Sequence, residues 1–216
     1  MERNNASEES IVEMASEPTD PEGSHAPPER SDPVARIAAR FVRGEHGHAS
    51  LPTRGSAALR RMDPERPSRA LFALIPALDG SGARFNDDED LRRWATVVHC
   101  IAVLSGTGGA RAHSGASRYA TGRRIHEASY SEHRLSRLLS ARGPALTDQV
   151  RRLARFLAAA RAVPIDLEPL AQLLLHEGRD ETRAERARLL IARAYYGAVD
   201  RQRRAEAVEA SGSTVA

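Results

Sequence analysis

His126, Glu127, Glu132 and His133 gather metal-ligand and acid–base residue types within eight consecutive positions. A zinc hydrolase would need two histidines four apart on one helix face, with a glutamate beside the first. Tyr130 stands four residues after His126, and the group straddles a break between helices. The spacing therefore predicts a polar helix junction with partly buried imidazoles and no metal site. Acid–base work by Glu127 and Glu132 would require a pocket and a raised pKa, so hydrolase chemistry is not expected. Gly106-Thr107-Gly108-Gly109 is glycine-rich, but no Lys-Ser/Thr follows and no strand precedes it, so it reads as a loop and not a phosphate cradle. Cys100 is the only cysteine. It excludes an intrachain disulfide and a cysteine-based zinc site, and its apolar helical setting predicts a buried, inert thiol. No catalytic residue, metal or cofactor is expected.

The arginines carry the positive signal. All 32 basic residues are arginine, whose planar fork of five donors suits phosphate oxygens. Residues 111–161 hold eleven of them against Glu127, Glu132 and Asp148, a net charge of +8. Arg134 and Arg137 are three apart and share a helix face; Arg151 and Arg155 are four apart and share another. A smaller cluster is Arg54, Arg60 and Arg61, with Gly55-Ser56 leaving backbone N–H groups beside Arg54. The expected nucleic-acid face comprises Arg54, Arg60, Arg61, Arg118, Arg123, Arg124, Arg134, Arg137, Arg142 and Arg151. Few aromatic residues interleave with them, apart from Tyr119 and Tyr130. That argues for contact with phosphates over base stacking, and for little sequence specificity.

The elements that must position these side chains read as helices throughout. Apolar residues make up 41% of the chain and aromatic residues 4%, a mixture that favours helices over sheets. Asp32-Pro33 opens a helix carrying Val34, Ile37, Ala38 and Phe41 at helical spacing. Gly44 and Gly47 end it. Further helices are expected over 53–62 and, after a proline-marked break at Asp63–Pro67, to about Leu78, the latter kinked or ended by Pro76. Asp87–Asp90 begin the next, where negative charge suits the helix dipole. Leu91, Trp94, Ala95, Val98, Ile101 and Ala102 form its buried stripe. A short helix follows over 119–127. Ser131 caps another through Ala141, with Gly143 at its C′ position. Pro144 opens a helix with Leu146, Val150, Leu153 and Leu157. Asp166 caps one with Leu170, Leu173 and Leu174. The last runs over 181–206, with Leu189, Leu190, Ala194, Tyr196 and Val199 as its expected apolar contacts. The fold class is all-α: a helical bundle of two packed subdomains, 33–109 and 117–207, with a disordered tail at 208–216.

Charge divides the chain. Residues 1–32 hold nine acidic groups and two arginines, a net of −7, and no apolar periodicity; they read as a disordered acidic leader. The remainder nets +10, a body expected to be drawn to polyanions. No apolar stretch reaches membrane-spanning length and nothing reads as a signal peptide, so a cytoplasmic protein is expected.

Three stretches resemble the small subunit of the type I-E CRISPR Cascade surveillance complex, the CasB family. The first is Gly55-Ser56-Ala57-Ala58-Leu59-Arg60-Arg61. The second runs from Tyr130-Ser131-Glu132-His133-Arg134-Leu135-Ser136-Arg137-Leu138-Leu139 to Arg142-Gly143, with Leu153 to Leu157 in the next helix. The third is Val163-Pro164-Ile165-Asp166, then Leu170, Leu173-Leu174 and Arg193-Ala194-Tyr195-Tyr196. Their order and spacing are similar to the family over roughly residues 33–200. Leu167 stands where the family often carries tryptophan, and the acidic leader is an addition.

The resemblance implies an all-helical subunit present in two copies beside other Cascade subunits, helping to hold guide RNA, target strand and displaced strand, without nuclease activity of its own. It carries Arg54, Arg60, Arg61, Arg134, Arg137 and Arg142 over as basic-motif residues, with Arg123 and Arg124 just before. A protein that holds an opened duplex need not read bases, because guide pairing supplies recognition. Two other readings stay open: a protein–protein scaffold subunit without nucleic-acid contact, and a helix-turn-helix regulator over Ala120–Leu139. Against the second, Leu135, Leu138 and Leu139 give the would-be recognition helix a broad apolar face.

Overall fold

Asp32 accepts backbone hydrogen bonds from Val34 (2.8 Å) and Ala35 (3.2 Å), which satisfies the first free N–H groups of helix α1, Pro33–Ala39. The computed structural model describes residues 32–42, 51–67, 69–75, 87–106 and 109–212. Residues 1–31 of the acidic leader, Gly44, Gly47, Pro76 and Thr107-Gly108 lie outside them. Val34, Ile37, Ala38 and Phe41 are buried, as their spacing requires. Helices α2 (Thr53–Arg61) and α3 (Arg69–Phe72) follow.

Helix α4, Asp88–Ser105, is the hub. Asp87 caps it by accepting from the Asp90 N–H at 2.7 Å. It packs against α1, α2 and two later helices, α7 (Gly143–Ala159) and α8 (Glu168–His176). Contact on so many sides buries every residue from Trp94 to Ala102, so the predicted stripe is real but too narrow. A helix covered all round must be apolar all round. The polar exceptions are Thr96 and His99, and the Nε2 of His99 is left buried without a partner. Thr96 donates to the Arg92 carbonyl, and His99 Nδ1 donates to the Leu59 carbonyl at 3.1 Å, tying α4 to α2. Because that carbonyl can only accept, the proton sits on Nδ1, and burial holds the imidazole below its usual pKa.

A 3-10 turn, Ser117–Tyr119, leads into α5 (Thr121–Glu127) and α6 (Glu132–Ser140). Ser131 caps α6 by accepting from the Arg134 N–H. Gly143 does not close that helix. Ala141 is its extended cap, and Gly143, at φ 52°, opens α7 instead. His113 and Ile165 form an isolated parallel bridge that ties the loop after α4 to the segment before α8. The Thr121 hydroxyl, donating to the Asp166 carbonyl, fixes the start of α5 to the same segment. The Asp166 carboxylate accepts from the Glu168 N–H at the head of α8.

Helix α9, Glu181–Gly212, packs along α5 and α8. It runs past the expected end at Glu206, so residues 208–212 of the expected tail are helical. Its buried face also differs from the expected one. Ala184, Ala187, Ile191, Tyr195 and Ala198 face the core, while Leu189 (67% exposed), Leu190 (51%) and Tyr196 (45%) point outward. The cause is close approach: a Cβ on Gly122 of α5 would meet the Ile191 carbonyl oxygen at 2.0 Å. Helix backbones this near leave room only for small side chains at the crossing itself, with Ile191 and Tyr195 packed beside it. The described residues hold nine α-helices and no strand. The architecture is all-α, helix packed on helix.

Candidate nucleic-acid interface

The arginines divide by what already holds them. Arg60 donates to the Gly106 carbonyl at the end of α4, so its guanidinium joins α2 to α4. Arg123 and Arg124 both grip Glu127, at 2.7 and 2.6 Å. Burial alone would raise the Glu127 pKa, but the two guanidiniums outweigh it and hold the carboxyl below its usual range. Glu127 is thus an anion clamped by cations, not a poised acid. Arg142 faces Glu177, Glu181 and Glu185 at 3.1 to 3.8 Å and donates to the Leu139 and Ala141 carbonyls. Arg151 lies 3.9 Å from Asp148, with its Nε buried and unpartnered on the flank of α7 that faces α4.

A second group is open. Arg54, Arg61, Arg118, Arg134 and Arg137 are exposed, and none of them pairs with a carboxylate among the described residues. Arg118 covers the Tyr119 ring at 4.8 Å. The Arg134 guanidinium stands 5.9 Å from the centres of both the Tyr130 and Phe156 rings, which meet edge to face at 5.1 Å. These rings form a rigid base beneath it, and the Tyr195 hydroxyl anchors that base by donating to the Tyr130 carbonyl at 2.9 Å. Burial raises the Tyr130 pKa against the pull of three surrounding cations, Arg134, Arg137 and Arg152. Leu135 and Leu138, both buried, turn the Arg134–Arg137 face of α6 outward.

Arg152 is the residue sequence reasoning missed. Arg151 and Arg155 were paired by their four-residue spacing, yet Leu146, Val150, Leu153 and Leu157 fill the buried face of α7 and place Arg151 and Arg152 on opposite flanks. Only the Arg152 flank adjoins α6. The signal was present in the leucine register and was read for one flank alone.

The histidine–glutamate group is a polar junction, but only one imidazole is partly buried as expected: His126 is, and His133 is exposed. His126 pairs with Gln202 at 2.9 Å, and Glu132 accepts from the Tyr196 hydroxyl at 2.8 Å. No cluster of metal-ligating residues occurs among the described residues. Cys100 is buried and its thiol is pushed up to about 12 by desolvation, which leaves it inert at neutral pH.

Over residues 55–196 the chain matches the family model for CRISPR-associated protein Cse2. This chain belongs to the Cse2 family. Cse2 is the small subunit of type I-E Cascade, so the chain is a Cascade subunit of a structural family, with other Cascade subunits as its partners. Neither a curated protein nor a solved structure matches the chain. The Cse2 match spans both basic motifs, taking in Arg60, Arg61, Arg134, Arg137 and Arg152, and leaves Arg54 one residue outside. No helix among the described residues is long and apolar enough to cross a membrane.

Proposed function

We propose that this Cascade subunit is a non-catalytic, cytoplasmic nucleic-acid-binding protein, present in two copies per complex, that steadies guide RNA, target strand and displaced strand. The observation that carries the reading is the open pair Arg134 and Arg137, one turn apart on α6, with Arg134 over the Tyr130 and Phe156 rings and the exposed Arg152 on the adjoining flank of α7. Like charges so close repel one another unless an anion lies among them. No carboxylate among the described residues pairs with any of the three, so an external anion is the natural occupant. Arg54, Arg61 and Arg118 extend the same chemistry to other faces. Arg60, Arg124, Arg142 and Arg151 are held by internal contacts and would contribute through the local field. R-loop formation is nearly balanced, so a few phosphate contacts of modest strength can tip it.

A scaffold reading draws on a different observation, the exposure of Leu189 and Leu190 on α9, which suits contact with a protein neighbour. A salt titration of single-stranded DNA binding separates the two. Affinity that falls steeply with rising salt supports phosphate contact; absent or salt-insensitive binding supports the scaffold.

A further inference from the structure

Helix α9 crosses α5 at Gly122, and beside that crossing lies a groove of about 290 Å³. Its walls include Arg123, His126, Glu127 and Ser129 on one side and Arg201 and Gln202 of α9 on the other. The volume is near the lower end of small-ligand sites, roughly 300–1,000 Å³, and the charged and polar side chains on both walls suit a phosphodiester better than a base.

Charge and hydrogen bonding both favour an anion. Glu127 is shared by Arg123 and Arg124, so one of those two cations is uncompensated. Arg123 reaches Glu127 through Nε, which leaves its terminal nitrogens for a second acceptor. Arg201 is exposed and pairs with no carboxylate among the described residues. The opposite wall is fixed. Gln202 Nε2 donates to the Glu206 carboxylate at 2.8 Å, which turns its Oε1 toward His126 Nε2 at 2.9 Å, so that imidazole nitrogen is the donor. Glu206 is thereby occupied, one turn beyond Gln202. Ser129 adds a hydroxyl directly before Tyr130, and the His126 ring meets Tyr195 edge to face at 5.3 Å. The groove and the Arg134–Arg137–Arg152 cluster therefore flank one shared contact, Tyr130 with Tyr195.

We infer that this groove is a phosphate-binding subsite, in which Arg201 and Arg123 take one phosphodiester of a single strand whose neighbouring phosphates lie against Arg134 and Arg137. The inference rests on the nucleic-acid reading above and extends it to α9. Arg201 and Gln202 lie beyond the Cse2 match, which ends at Tyr196, while Arg123, His126, Glu127 and Ser129 lie within it. Guanidinium forks converging from two helices suit bidentate contact with phosphate oxygens.

The test measures binding of a fluorescently labelled oligothymidylate to the full chain over a range of salt concentrations. Arg201→Glu is compared with Arg203→Glu, the same charge change two residues on at an exposed position outside the groove. Arg201→Glu should weaken binding at least about fivefold more than Arg203→Glu and make the salt slope shallower by about 0.7, the value for one single-strand phosphate contact. Arg201→Gln, which keeps helix propensity, should show the same ordering with a smaller loss. Equal losses at the two positions would mean that only the general field matters, and the subsite would be wrong. If an Arg134→Ala/Arg137→Ala variant weakens binding while Arg201→Glu does not, the subsite alone fails. Absence of binding by the wild-type chain even at low salt overturns the nucleic-acid reading, and the subsite with it.

Discussion

Gly122 of α5 faces the backbone of α9 so closely that an added Cβ would sit 2.0 Å from the Ile191 carbonyl oxygen and 2.4 Å from the Tyr195 nitrogen. Backbone atoms cannot swing aside as a flexible side chain would. In an uncrowded helix, Gly→Ala gains roughly 0.5–1 kcal/mol; here Gly122→Ala should instead destabilise, by about 1–3 kcal/mol as overpacked cores do. Chemical denaturation reads the sign. A more stable variant would show that α9 does not lie this close.

Arg188 is 5% exposed and meets Glu177, Glu181 and Glu185, while Arg142, on the rim of the same carboxylates, is half exposed. The two should differ in weight. Arg188→Ala removes the buried partner of Glu177, leaving it only Arg142 at 3.6 Å, and should cost about 3 kcal/mol. Arg142→Ala removes a solvent-screened contact and should cost under about 1 kcal/mol. Comparable losses in urea unfolding would contradict the assignment of Arg188 as the anchor and Arg142 as an accessory.

Those two arginines also mark the limit of what the sequence disclosed. Arg142 reads as one more surface cation beside Arg134 and Arg137, because its carboxylates are supplied by α9 and the turn before it. Arg60 is likewise claimed by a carbonyl 46 residues away. Local features were legible: the caps at Asp32 and Ser131, the acidic start of α4, the apolar spacing of α1 and α4, and the outward face of α6 all follow from nearest neighbours in the chain. Partners distant in sequence were not. The inverted face of α9 has the same origin, since the size of Leu189 and Leu190 suggests burial while a glycine on another helix decides it.

Glu168 supplies a pH dependence. Burial raises its carboxyl to about 7, and the neighbouring carboxylates of Asp32 and Asp166 push the same way, against a hydrogen bond from Gln172. Its folded pKa lies above the usual value of 4.5, so the folded state binds more protons between the two, and the Glu168 contribution to stability falls as pH rises through that window. His99 and His176, held low by burial, act in the opposite sense below their usual value of 6.5. The difference between wild type and Glu168→Gln isolates the carboxyl. The variant should gain stability relative to wild type as pH rises from 5 to 8, the interval spanning this shift. A pH-independent difference would show that Glu168 titrates at its ordinary value.

The last prediction concerns the open cluster. Arg134 and Arg137 stand one turn apart on α6, and Arg152 approaches from α7 on the side of Tyr130. All three are exposed and joined to no carboxylate among the described residues, so alanine at Arg137 or Arg152 should change stability by within about 0.5 kcal/mol. Arg134 also rests over two rings, a contact worth about 0.5–1 kcal/mol where exposed, and it is the one whose loss should be felt slightly in folding. Binding should respond more strongly. Each lost phosphate contact should lower the salt slope for single-stranded DNA by about 0.7, and affinity should fall for all sequences alike. Arg151→Ala is the control, because its guanidinium lies on the other flank of α7 with a buried Nε; it should alter binding less than Arg152→Ala. In a reconstituted Cascade, the triple variant should hold the displaced strand less well at raised salt while the pairing rules of the guide stay the same. Should Arg151→Ala prove the more damaging of the two, the nucleic-acid face would lie toward α4, and the Tyr130 cluster would be a surface that the strand does not touch.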